Sequence, residues 1–523
     1  MFVALIVLVL IFALIFGLIA YARWNYGVLE ATGIPVIKPT LFNGSVPDLH
    51  LKVQTDEDIK RFQEFGPLWG LYEGRTPIIH VCDPDLIREI FVKDVEYFYD
   101  RRVGHFGDAR IDEILDYLPG EKWKKMRKLQ TILFSSGKIR QYSTQLKDAA
   151  DDFVDYLKGK CDGHGSVNLD TRNAMDIVSL DGIARASFGV KLENVEDPNN
   201  LFFRALKKLL GEGLEYNWLY SLSMTFPILH KLAPSFQIEE VLFHTFREII
   251  ATRKEQRDMV NRETNQTLKK SEGNWKPASN CNDLADLLVD CFDNLESSDF
   301  QRLGISSTTI LAQALNVTAL DMISATMTMI SYYLATNPNT QKKLHEELDE
   351  IIEGQFEGRI DNETIQSLPY LSACLNETLR LAPPLIRPER MCTKDWVSSE
   401  GNLKIKKGTV VMVPLWAAQR HSKYFLDPDA FIPERFIPNS PQYEASSWHP
   451  YIYSPFGLGL RNCIGMRIAI ETLKLNIATV LQSFRIEVRS DTRLEFKKGM
   501  LFLLQFKPLY LDFVRRERKS KKL

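Results

Sequence analysis

The stretch Ser454–Arg467, SPFGLGLRNCIGMR, sets Cys463 among three glycines, close to Arg461, just ahead of a long run with helical periodicity. A cysteine at the mouth of a helix meets backbone amides and the positive end of the helix dipole. Both favour thiolate over thiol. Glycines let a backbone wrap closely against a flat group, and a thiolate is a soft ligand for a metal held in such a group. The alternative reading of a single Cys is a buried free thiol. The other cysteines, at 82, 161, 281, 291, 374 and 392, show no CxxC pair and no regular framework. That disfavours a structural zinc site and a disulfide scaffold, and the odd count fits a reducing compartment.

Phe456, Gly459, Arg461, Cys463 and Gly465 form FxxGxRxCxG, a match expected by chance on the order of 10⁻⁴ or rarer. The segment resembles the signature of the cytochrome P450 family without a departure. The resemblance implies a haem b whose iron takes its axial thiolate from Cys463, a ligand that favours O–O cleavage. Weaker motifs follow in the family's order. Glu377 and Arg380 in NETLRLAPPLIRPER form an ExxR pair, and Arg435 lies in DAFIPERF. An i,i+3 pair alone is a common surface feature, but the resemblance implies a buried Glu377, Arg380, Arg435 network bracing the haem-binding core. In WKKMRK, Trp123 and Arg127 have WxxxR spacing. With Arg387 and Arg461 they are implied partners of the haem propionates, a task for guanidinium forks. Phe456 completes the expected haem contacts.

One segment breaks the family's pattern. In TALDMI, Thr318–Ile323, the usual acid is present as Asp321, but the threonine that normally follows it is Met322, and the usual glycine is Ala319. A thioether donates no proton. Two mechanisms fit. In a monooxygenase, NADPH electrons activate dioxygen, and protons arrive through Asp321 with water or through Thr318, one turn before Met322 on the same face. In the alternative, a fatty-acid peroxide is rearranged without dioxygen or a reductase. A non-catalytic haem-binding protein is a third class. Composition and resemblance together favour the monooxygenase acting on a lipophilic small molecule. The electrons are expected from NADPH-cytochrome P450 reductase, with cytochrome b5 as a second donor, and Lys122, Lys124, Lys125 and Lys128 are candidate docking charges.

The elements that must position these residues are read next. From Met1 to Ala22 there is no charge, and the run is long enough at ~1.5 Å per residue to cross a ~30 Å hydrocarbon layer. Arg23, Trp24 and Tyr26 follow as interfacial anchors. The absence of a basic n-region argues against a cleaved signal peptide. The positive-inside rule places the rest on the cytoplasmic face, and the resemblance implies the endoplasmic reticulum membrane. Residues 23–46 read as a Pro/Gly linker, 47–513 as one catalytic domain, and 514–523 as a solvated basic tail. A hairpin is expected to turn at Glu73-Gly74-Arg75, with mostly helical structure from Tyr117 to Ala382, an exposed loop at Ser271–Asp283 and a small C-terminal sheet. The expected fold is mainly α with small β-sheets, a cytochrome P450-like single catalytic domain behind an N-terminal transmembrane helix. Net charge is −2 from 65 basic and 67 acidic residues, which gives no field for nucleic acid.

Overall fold

The structure, a computed structural model, describes residues 2–102, 108–192, 200–209, 218–231, 240–263, 281–315, 320–353, 362–445, 449–499 and 503–517. Helices form most of it, with three small sheets among the described residues. The expected hairpin pairs Leu68–Glu73 with Thr76–Val81, Trp69 opposite His80. Its second strand runs parallel to Val410–Met412, which in turn pairs antiparallel with Glu389–Met391. The C-terminal sheet joins Ser166–Asp170 and Phe484–Glu487 to either side of Tyr510–Arg515. Arg515 thus belongs to a strand, and Arg516 closes on Asp349 at 2.5 Å. The expected basic tail therefore starts later than 514, because Phe513 and its neighbours must pair and pack. Residues 518–523 lie outside the described residues, as does most of the expected loop at 271–283. The end of that loop is only partly exposed, for Cys281 and Asp283 are buried on either side of exposed Asn282, and Asp283 caps the helix Leu284–Asp293.

Two helices make the frame of the site. The terminal helix Met466–Ser483 is buried without a break from Thr472 to Leu481, as expected for a helix packed on several sides. The central helix Leu320–Thr336 packs against it and against the helix Thr171–Phe188. The central helix carries buried hydroxyls, and Thr326, Thr328 and Ser331 each donate to the carbonyl four residues back at 2.7–2.8 Å. That bond lets a hydroxyl sit in an apolar core without a lost partner.

The helix Phe2–Ala22 is exposed along nearly its whole length, and only Ala22 at its end is buried. Residues 23–46, however, are not a free tether. The Tyr72 hydroxyl accepts from the Gly27 and Leu29 amides, both at 3.1 Å, and donates to Glu30 at 2.6 Å. The Ile37 amide donates to the Gly70 carbonyl at 2.9 Å, and the Gly70 amide donates to the Pro35 carbonyl at 2.8 Å. Leu29 is fully buried, and Ile34, Val36 and Ile37 join the same apolar cluster. The segment has enough apolar side chains to add a layer to the hairpin, and its prolines keep it extended while it does so.

Candidate functional site

The loop before the terminal helix is shaped by short-range needs. Gly459 has φ +67°, and a Cβ there would stand 1.9 Å from the Phe91 carbonyl oxygen. Only glycine permits that approach, so this motif glycine serves the packing of the loop on residues 89–93. The Cys463 amide donates to the Phe456 carbonyl at 2.8 Å, which closes the loop, and half-buried Phe456 packs against the core behind it. Cys463 then stands two residues before Gly465, the cap of the terminal helix.

Of the seven cysteines Cys463 alone is exposed. Yet burial pushes its thiol up to about 11, opposed by a hydrogen bond from the Gly465 amide and by Arg127. Arg127 donates to the Asn462 carbonyl at 2.8 Å and to its side-chain oxygen at 3.0 Å, directly beside the thiol.

Around this point the charges do not balance. Arg461 is buried and lies 4.0 Å over the Trp123 ring. Its Nε donates to the Tyr99 carbonyl, and its Nη2 donates to Asp100 and to the Leu118 carbonyl. Its Nη1 is buried and meets no hydrogen-bond partner among the described residues. Arg101 donates to the Arg461 carbonyl and to Asp116, while among the described residues Arg390 has only carbonyl acceptors, Glu389 O and Leu458 O. Burial lowers Arg461 to about 10 and holds Arg390 and Arg127 below the usual guanidinium range, and neighbouring guanidiniums add to each shift. Among the described residues the ion pairs of Arg101, Arg127, Arg390 and Arg461 end on two aspartates, one of them largely solvated, while nearby Glu389 is paired to Arg102. An open thiol, an orphaned guanidinium nitrogen and a surplus of about two positive charges fit a haem with its two carboxylates.

Arg387 departs from expectation. It forms a two-pronged pair with Asp58 at 2.8 and 2.5 Å, with Glu73 3.8 Å away. Its charge is already answered by buried acids, so it does not belong to the unbalanced group. Arg101 and Arg390 do, and the sequence reading missed both. Their signal was present in the adjacent arginines of DRRVG and in the second arginine of RPER.

Behind the loop, Arg380 grips Glu377 at 2.7 and 2.8 Å and donates to the carbonyls of Gln419, Pro428 and Ala430. Arg435 reaches Glu377 at 3.3 Å and the Asp427 carbonyl at 2.7 Å. All three side chains are at most 2% exposed. The network ties the helix Pro369–Leu381 to the segment 419–435 through oxygens that no solvent can serve.

Asp321 is not a free acid. It is buried, ion-paired to Arg172, and accepts from Gln505 at 3.3 Å. Arg172 also holds Asp176 at 3.1 Å, and Asp176 in turn accepts from Ser324 at 2.5 Å. Burial lifts the Asp321 carboxyl to about 6, and Asp176 adds to the shift while Arg172 and Lys497 oppose it. Arg172 itself is held above its usual range by the two acids. The directions are compatible, because one guanidinium is shared between two buried carboxylates. Met322 is half-buried and its carbonyl accepts from Thr326. Thr318 and Ala319 lie outside the described residues. Three of the four candidate docking lysines are paired within the protein: Lys122 with Glu113, Lys124 with Glu121 and Lys125 with Asp299. Lys128 is exposed and forms no ion pair among the described residues.

Comparison with known proteins agrees with this geometry. A family model described as Cytochrome P450 matches residues 34–513. "Cytochrome P450 3A31" of Mesocricetus auratus is 31% identical over 501 residues, 94% of this chain and 93% of the relative. "Cytochrome P450 3A41" of Mus musculus is 31% identical over 502 residues, 95% and 94% of the two chains. "Cytochrome P450 3A56" of Fundulus heteroclitus is 30% identical over 523 residues, 97% of each. An open thiol beside unanswered guanidiniums, a fold of this kind and a match along almost the whole length converge on one conclusion: the chain belongs to the cytochrome P450 family, in its microsomal group of haem monooxygenases, whose haem b is held by a cysteine thiolate.

Proposed function

We propose that the protein inserts one oxygen atom of dioxygen into a lipophilic small molecule, using NADPH electrons delivered by a reductase. It would work at the endoplasmic reticulum membrane, anchored by Phe2–Ala22 with its catalytic domain on the cytoplasmic face. The observation that carries this reading is the surplus of guanidinium charge around the open Cys463 thiol. When bound, the haem supplies reductive activation of dioxygen.

The chain's own residues have separable tasks in this reading. Cys463 would supply the thiolate that holds the haem, with the Gly465 amide opposing the upward push of burial on its thiol. Arg127 and Arg461, with Arg101 and Arg390, would balance the haem carboxylates, and Trp123 and Phe456 would pack beside the ring. Asp321 holds a proton within reach of neutral pH at a site closed to bulk water. Arg172 and Gln505 fix its carboxyl on the central helix. Lys128 is the lysine of its helix left for an acidic redox partner, and the other three serve internal pairs.

The peroxide-rearranging alternative is not favoured by any comparison, and the Arg172–Asp321–Asp176 arrangement supports a proton-handling role that such a rearrangement would not use. Purified full-length protein in lipid nanodiscs should consume NADPH with reductase and a lipophilic substrate, and yield an oxygenated product. Substrate conversion from a lipid hydroperoxide alone, with none from NADPH and reductase, would overturn the reading.

A further inference from the structure

Asp100 and Met391 form an antiparallel bridge, the Met391 amide donating to the Asp100 carbonyl at 2.7 Å. One step along each chain, this register sets Arg101 opposite Arg390, and the next step sets Arg102 opposite Glu389. Side chains of paired extended segments alternate between faces, so the two pairs divide. Arg101 and Arg390 share one face, where both donate to the cysteine loop, Arg101 to the Arg461 carbonyl at 3.2 Å and Arg390 to the Leu458 carbonyl at 2.8 Å. Arg102 and Glu389 share the other.

Like charges placed directly opposite each other are destabilising. Burial holds Arg390 below its usual range, and Arg101 is the first neighbour that adds to the shift. The second face offsets this repulsion. Glu389 accepts from Arg102 Nη2 at 2.8 Å, from its Nε at 3.4 Å and from its backbone amide at 3.2 Å. The amide contact fixes the main chain from which Arg101 departs, and Arg390 donates back to the Glu389 carbonyl at 2.8 Å. Arg102 reaches on to Glu73 at 2.6 Å, and the alternation continues through Arg387, 3.8 Å from Glu73, to Asp58 and Arg61. Burial opposes the charge on Arg102, yet Glu389 and Glu73 outweigh it and hold the guanidinium above its usual range. Arg61, Arg102 and Arg387 thus alternate with Asp58, Glu73 and Glu389, and the surplus of positive charge stays on the face turned to the cysteine loop.

We propose that Arg102 and Glu389 are positioning residues for the haem: their cross-strand ion pair holds Arg101 and Arg390 side by side, so that both guanidiniums serve the haem carboxylates. The pair acts through its chain neighbours. Without it, two buried like charges would part, and the register that aims them at one place would loosen. This role rests on the haem of the family and on the guanidinium surplus, and not on the monooxygenase reading.

The test is the rate at which the full chain in nanodiscs gives up its haem to apomyoglobin, after loading with haem or with haem dimethyl ester, whose carboxyl groups carry no charge. Wild type is compared with Glu389→Gln, Glu389→Asp and the double variant Arg102→Met/Glu389→Met. Loss of one charge-assisted contact corresponds to about tenfold in affinity. Glu389→Gln should release haem faster by about that factor and leave release of the ester near its wild-type rate. Glu389→Asp, which keeps the charge, should recover much of the grip. The double variant removes the pair without stranding either charge, so its thermal midpoint should stay near that of wild type while its haem, and not its ester, leaves faster. It carries the comparison if Glu389→Gln fails to fold. A pair that only stabilises the fold would speed haem and ester by the same factor; that result, or unchanged release of haem, would overturn the proposal. Haem-selective release from a protein that yields no NADPH-dependent product would sustain the positioning role and sink the monooxygenase reading.

Discussion

Arg127 joins the helix Gly120–Thr131 to the cysteine loop by two bonds to a single residue, Asn462, at its carbonyl and its side-chain oxygen. The same guanidinium lowers the Cys463 thiol by its charge. One guanidinium therefore both holds the loop at Asn462 and favours the thiolate of the neighbouring Cys463. Arg127→Ala should lower haem occupancy several-fold and raise the pH at which the apo thiol reacts with an alkylating reagent. Arg127→Lys, which keeps the charge without the fork, should recover the thiol's reactivity better than its haem occupancy. Haem content by absorbance and alkylation rate against pH check both.

Cys463→Ser replaces a soft thiolate by a hydroxyl that stays protonated. The reduced, carbon-monoxide-bound absorption band typical of thiolate haem should vanish while the far-ultraviolet circular dichroism stays native, because Cys463 bears little of the core. Persistence of that band would move the ligand to another residue.

Glu377 accepts from both Arg380 and Arg435 and from the Ile432 amide, and it is fully buried. Glu377→Gln leaves two buried guanidiniums short of a counter-charge, at a cost of about 3–5 kcal/mol. A large fall in the thermal midpoint, or recovery only as aggregate, is the expected result. Glu377→Asp, which keeps the charge and shortens the reach, should lose less.

The site was legible in the sequence where contacts are local. FxxGxRxCxG lies within one loop, so its residue types and intervals carried the resemblance, whereas ExxR is a common surface pair and took its expected role from the resemblance alone. The partners that decide the electrostatics come from far along the chain. Asp58 answers Arg387 across 329 positions, and Arg172 answers Asp321 across 149. No periodicity connects such residues, so Arg387 read as a propionate partner and Asp321 as a free relay. The linker was misjudged for a related reason. Its prolines and glycines are visible, but the strand it docks on is fixed by Tyr72, 43 positions beyond Leu29. The fold class and the hairpin turn were within reach because alternation and helical period are local signals.

Docking of the linker sharpens what truncation should do. Tyr21 stacks on Phe226 at 5.7 Å and lies 4.2 Å beneath Arg75, while residues before it touch little of the domain. Removal of residues 2–20 should leave haem binding and thermal stability near wild type and weaken membrane attachment. Removal through Gly33 also deletes buried Leu29 and both amides that bond Tyr72, for a loss of about 2–4 kcal/mol. Equal thermal midpoints for the two truncations would show that the segment 23–33 does not stabilise the domain.

Asp321 gives stability a pH dependence whose sign follows from its environment. Burial and Asp176 raise its carboxyl from 3.8 to about 6, against the pull of Arg172 and Lys497. The folded protein thus binds this proton more tightly than the unfolded chain. The stabilisation that results is in full below about 3.8 and is lost as the pH rises through about 6. Its full size is about 3 kcal/mol. Asp321→Asn removes the titrating group while Asp176 still answers Arg172, so the variant's unfolding free energy should change less than that of wild type between about pH 4 and about pH 7. Denaturant titrations across that range give the two slopes, and the difference isolates Asp321 from the other acids, which both proteins share. Parallel curves would place the proton elsewhere and leave Asp321 a permanent counter-charge for Arg172, with no proton to lend to chemistry on the central helix.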